Sequence, residues 1–97
     1  MKIKLENELL RNYEERAQVF KALAHPTRLF ILEQLKEKSL CVCEITELID
    51  ADISTISKHL SVLKNVQLVS SQKKGLQVFY TLEAPCVLTT AHCVENK

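Results

Sequence analysis

Cys41 and Cys43 stand one residue apart in Leu40-Cys41-Val42-Cys43-Glu44, and theirs is the residue pairing in this chain with the most specific chemistry. Thiolates are soft donors suited to As(III), Sb(III), Cd(II), Pb(II) or Zn(II). Residues i and i+2 lie roughly 200° apart around an α-helix but on one side of an extended segment. The two sulfurs can therefore share one ion only where the chain is not fully helical. Lys36 to Ser39 form a polar connector, and Glu44-Ile45-Thr46-Glu47-Leu48-Ile49 begins a short helix, so the pair is expected to straddle a helix start. A lone reduced cysteine is as well suited to filling a core. A tight pair beside the stretch Cys43 to Val66, which reads as a helix-turn-helix, favours a ligand role.

Cys86 and Cys93 complete the cysteine set. At seven residues apart they share one face of a helix, about 10 Å from each other, so one of them is expected to join Cys41 and Cys43. Three sulfurs favour a three-coordinate trivalent ion, whereas four favour tetrahedral Zn(II) or Cd(II). Drawing Cys41 and Cys43 onto an ion is expected to distort the helix start beneath the reading helix. A 100-fold loss of DNA affinity would need about 2.7 kcal/mol of coupling. The alternative is a redox switch, with Cys86 or Cys93 forming a disulfide with the pair or a persulfide arising on oxidation. An enzyme such as a thiol oxidoreductase is disfavoured, because the chain lacks Cys-x-x-Cys spacing and a βαβ pattern.

At 97 residues the chain is one small domain that buries a modest fraction of its surface, which makes self-association a natural expectation. A 46% hydrophobic content with one glycine and two prolines indicates a mostly helical globule. No stretch approaches a membrane span, and the charged segment Met1 to Arg16 has no apolar signal core, so a cytoplasmic protein without membrane contact is expected. Thiols there are kept reduced, and a structural disulfide framework is not expected. The net charge of +1 argues against indiscriminate nucleic-acid binding. Its distribution is more telling: residues 52 to 80 carry Lys58, Lys64, Lys73 and Lys74 against Asp52 alone.

The elements follow from periodicity. Leu9, Leu10, Tyr13, Ala17, Phe20 and Ala24 mark an amphipathic helix from about Ile3 to Leu23, longer than its own core requires and so a candidate dimer element. Pro26 suits the first turn of a second helix, His25 precedes it as a helix-start residue, and Leu29, Ile31, Leu32 and Leu35 supply its buried face. After Asp50-Ala51-Asp52, Asp52 is a good N-cap for Ile53 to Val66. Ile53, Ile56, Leu60 and Leu63 form the inward stripe of that helix, and Ser54, Thr55, Ser57, Lys58 and His59 the outward face. Two β-rich runs, Leu68 to Gln72 and Leu76 to Leu82, flank Lys73-Lys74-Gly75 as a hairpin with a basic tip, and Cys86 to Val94 reads as a terminal helix.

This order is a winged helix-turn-helix: mostly α, one domain over 1–97, helix-turn-helix at 43–66 and wing at 68–82. Double-stranded operator DNA is the expected partner, with Lys73 and Lys74 on phosphates or the minor groove and Ser57 and His59 at base edges. No cofactor is needed for DNA binding itself.

Phe20-Lys21-Ala22-Leu23-Ala24-His25-Pro26-Thr27-Arg28-Leu29-Phe30-Ile31-Leu32, Cys41-Val42-Cys43-Glu44 and Ser54-Thr55-Ile56-Ser57-Lys58-His59-Leu60 together resemble the ArsR/SmtB family of metal-responsive repressors, from about Val19 to Leu82. The resemblance implies a homodimeric repressor that leaves its operator on binding arsenite, antimonite or a soft divalent metal. It implies Cys41 and Cys43 as inducer ligands and the first and last helices, 1–24 and 83–97, as the dimer interface. Some relatives add cysteines from an amino-terminal arm or one turn after the pair; here the arm has none, and Thr46 and Glu47 stand at the second place. His92-Cys93-Val94-Glu95 resembles half of the family's zinc site on the terminal helix, but the companion Asp and His positions hold Phe79 and Thr81. That zinc site is not expected, and His92 and Glu95 read as a solvated helix end.

Overall fold

The computed structural model describes residues 6–96. The elements run α1 (Asn7–Leu23), α2 (Pro26–Leu35), β1 (Leu40–Cys41), α3 (Val42–Ile49), α4 (Ile53–Asn65), β2 (Val69–Lys74), β3 (Gln77–Leu82) and α5 (Cys86–Glu95). Glu6 is extended, so α1 begins at Asn7, and the residues from Ile3 to Leu5 anticipated in that helix lie outside the described residues.

Each helix start has a local cause. His25 is extended and its Nδ1 accepts from the Thr27 backbone N–H at 3.1 Å, with Pro26 at the first helical position. Asp52 caps α4 by accepting from the Thr55 N–H at 2.8 Å. Between them, α3 ends at Asp50 in the left-handed region (φ 55°), which Asp tolerates better than most residues. That reversal sets α3 against α4 in a tight helix-turn-helix.

Ile31, Leu32, Ile45, Ile56, Leu60 and Leu63 are fully buried and join the helices into one core, to which Leu88 of α5 adds its side chain. Ile53 does not share the stripe expected of it and is 58% exposed. As the first residue of α4 it projects past the core, and Ile56, one turn on, is the first to reach it. Leu29 is only half-buried.

The hairpin pairs Lys74 with Gln77 and turns through Gly75 and Leu76, with Gly75 at φ 63°. A two-residue turn with positive φ matches the twist of the flanking strands. Lys73 and Lys74 therefore lie at the end of β2 rather than in the loop, and the tip itself is Gly75 with the 98% exposed Leu76. A third strand, not anticipated, completes the sheet in the order β1-β3-β2, with Leu40 opposite Tyr80 and Cys41 opposite Phe79. It forms because the chain must be extended at Cys41 to cap α3, and an extended segment beside β3 satisfies its backbone by pairing.

Candidate sensor site and nucleic-acid interface

Cys41 is both a core residue and a helix cap. It is 2% exposed, its Sγ accepts from the Glu44 N–H at 3.4 Å, and its own N–H donates to Glu44 Oε1 at 3.0 Å. This is a capping box with sulfur in place of the usual hydroxyl. The core-filler reading thus describes this side chain, which caps α3 as well.

Cys43, one residue into α3, is exposed, and the two sulfurs are joined as a disulfide across a Cα–Cα distance of 5.4 Å. The pairing differs from the expectation of no disulfide. Its cause is the backbone: Cys41 is extended (φ −80°, ψ 162°) while Val42 is already helical, which brings side chains at i and i+2 to the same side. With the sulfurs joined, α3 is regular from Val42.

Cys86 and Cys93 are both exposed on α5, and among the described residues no three His, Cys, Asp or Glu side chains converge as a metal site. The pair and the terminal thiols are therefore not brought together within one protomer. His92 and Glu95 are exposed at the end of α5, as expected, and the His92 ring adds two contacts, its Nε2 lying 3.3 Å from Glu33 on α2 and its Nδ1 3.4 Å from Glu95. The two carboxylates flank opposite ring nitrogens and do not converge on one point.

On α4, Ser54, Thr55, Ser57 and Lys58 are exposed as expected. Ser54 is partly committed, because its hydroxyl donates to Asp52 Oδ1 at 2.8 Å. The Thr55 N–H and then the Ser54 hydroxyl hold the Asp52 carboxyl below its ordinary range. Ser57 and Lys58 are the freer pair. His59 departs from the outward reading: it is half-buried, its ring centroid 4.4 Å from that of His25. Burial, followed by the charges of His25 and Arg28, pushes its imidazole below the ordinary value. Among the described residues, Arg28 Nε is itself buried without a hydrogen-bond partner.

Lys73 and Lys74 are exposed on the wing, and the Lys74 ammonium sits 5.5 Å from the centre of the Phe79 ring. Sequence reasoning missed three residues of this region. Glu44 had a signal, its place three residues after a cap, obscured because cysteine is an unusual cap. Phe79, the ladder partner of Cys41, and Gln77, whose Nε2 donates to Cys43 Sγ at 3.6 Å, had none.

A model described as "Bacterial regulatory protein, arsR family" matches residues 25–71, which contain the cysteine pair and the helix-turn-helix. The arsenical resistance operon repressor of Bacillus subtilis is 39% identical over 77 residues, covering 78% of this chain and 70% of that protein. The chain belongs to the ArsR family. This ArsR-family chain is also 41% identical over 68 residues to a cadmium resistance regulatory protein of Staphylococcus aureus, covering 69% of itself and 56% of that relative. A homodimeric winged helix-turn-helix DNA-binding domain from Mycobacterium bovis superposes with a TM-score of 0.85 at 23% identity, over 98% of this chain and 91% of that one, which establishes the fold. The protein is accordingly a transcriptional repressor of the ArsR/SmtB family with a winged helix-turn-helix. No helix among its described residues is long and apolar enough to cross a membrane.

Proposed function

We propose that this repressor is released from operator DNA when a thiophilic ligand, arsenite or antimonite foremost, engages Cys41 and Cys43. The observation carrying the reading is that the two sulfurs meet at the first turn of α3, which packs on the reading helix α4. Two adjacent soft donors fit a trivalent metalloid or a soft divalent ion. A third sulfur, from Cys86 or Cys93, requires movement of α5 or a second copy of the chain, because one protomer does not assemble it. The resistance functions named for the two relatives agree with this class of inducer.

DNA is gripped by a homodimer. The exposed Leu10, Tyr13 and Phe20 of α1 and Val94 of α5 are apolar surface for the partner subunit to cover. Two recognition helices about 34 Å apart then enter successive major grooves of an inverted repeat. Ser57 and Lys58 lead the contact to bases and backbone, with Ser54, Thr55 and His59 beside them, while Lys73 and Lys74 neutralise phosphates.

The joined sulfurs favour one second reading, a dithiol-disulfide switch within the pair itself. With a peroxide as oxidant, the two thiols give up two electrons and two protons, the O–O bond breaks, an S–S bond forms, and hydrogen peroxide leaves as two waters. Anaerobic operator-release titrations with As(III), Sb(III), Cd(II), Pb(II) and Zn(II), set against hydrogen peroxide, separate the readings. Undiminished release of Cys41→Ser and Cys43→Ser by every agent would overturn both.

A further inference from the structure

The joined pair leaves α3 undisturbed, so its influence on DNA binding needs another route, and the contacts around it lead to the wing. Cys41 is laddered to Phe79 on β3. Cys43 Sγ accepts from the Gln77 side-chain amide at 3.6 Å. Gln77 is the cross-strand partner of Lys74, whose ammonium is turned back over the Phe79 ring at 5.5 Å. The two residues beside the cysteine pair thus also border the wing lysine, Gln77 as its ladder partner and Phe79 as the ring beneath its ammonium.

We propose that Gln77 is a positioning residue that latches the wing to the joined Cys41–Cys43 pair and keeps Lys74 parked on Phe79, away from DNA. The inference rests on the second reading above, the dithiol-disulfide switch, with the joined pair as the state that leaves the operator. A Cys43 side chain tied to Cys41 presents its sulfur at one fixed point. Unjoined and exposed, it rotates among staggered rotamers and carries the acceptor away from Gln77. Sulfur is a weak acceptor and a cation over an exposed ring a modest restraint, so the expected effect is about three- to tenfold.

The test uses the full chain with Cys86→Ser and Cys93→Ser, so that only the pair can be oxidised. An azodicarboxamide oxidant takes two hydrogens from the two thiols onto its N=N bond, leaving the S–S bond, which mass spectrometry locates. Amide hydrogen exchange of residues 72–80 is then compared between reduced and joined protein without DNA, followed by operator affinity in both states. Joining should slow wing exchange about three- to tenfold. Gln77→Glu, similar in size but without the N–H donor, and Gln77→Ala should both abolish the difference and at least halve, on a logarithmic scale, the loss of operator affinity. Slowing that persists in both variants, or its absence with Gln77 present, overturns the latch. Slowing that depends on Gln77 while operator affinity stays constant retains the contact between Gln77 and the pair but overturns the parking of Lys74 as a control on DNA binding and refutes the dithiol-disulfide reading.

Discussion

Replacing Cys41 by serine and by alanine separates its structural role from its chemical one. The Cys41 sulfur caps α3 by accepting from the Glu44 N–H and the residue is 2% exposed, so Cys41→Ala removes a cap and leaves a small void. The cap is worth about 1 kcal/mol and the lost buried volume about another. At about 4–8 °C per kcal/mol for a domain near this size, the reduced Cys41→Ala protein should melt about 8–16 °C below the reduced parent. Serine is among the best capping residues and its oxygen can accept the same N–H, leaving only the burial difference. Cys41→Ser should therefore stay within about 1 kcal/mol of the parent. Its operator affinity under chelation and reduction should stay within about threefold, while release by arsenite is lost. Melting is followed by circular dichroism at one protein concentration, since dimer stability depends on concentration, and affinity by fluorescence anisotropy. Cys41→Ser melting as low as Cys41→Ala, or losing the operator with no ion present, would refute the division, because the sulfur would then be needed for the fold itself.

Lys73→Ala or Lys74→Ala should weaken binding to all sequences and lower the slope of log affinity against log salt by about 1.8 per dimer, from ~0.9 per phosphate contact in each of two subunits; an unchanged slope in the double variant would take the wing out of the electrostatic contact. Ser57→Ala should instead alter base preference in a binding-site selection at nearly constant salt slope. His59, held below its ordinary value by burial and by His25 and Arg28, takes up its proton more readily in the unfolded chain. The stability it contributes is therefore present above about pH 6.5 and lost as pH falls through its folded value; His59→Gln should flatten urea stability between neutral and mildly acidic pH, and an identical pH profile would contradict this. If one three-sulfur site forms, only one of Cys86→Ser and Cys93→Ser should reproduce the arsenite defect of Cys43→Ser, whereas loss in both points to four sulfurs and loss in neither to a non-sulfur third ligand.

The sequence alone determined the order of the five helices and the hairpin, though not the short strand β1, because each of their signals is local. Pro26 after a capping His25, Asp52 three residues before an N–H it can accept, and a single glycine at a two-residue turn act over a few residues. The 3.6-residue stripe of Ile56, Leu60 and Leu63 needs only the helix to define it. The cysteine pair was legible in the same way, since i and i+2 at a helix start must fall on one side. What only the tertiary structure decided are relations across the chain. The pairing of Cys41 with Phe79 joins residues 38 apart, and the amide of Gln77 on Cys43 joins residues 34 apart. The turn of His59 toward His25 likewise depends on how α4 lies against the start of α2. Such contacts are fixed by packing of whole elements, to which no periodicity or spacing refers. They decide that Cys41 and Cys43 touch the wing, and that among the described residues Cys86 and Cys93 stay apart from them in a single protomer.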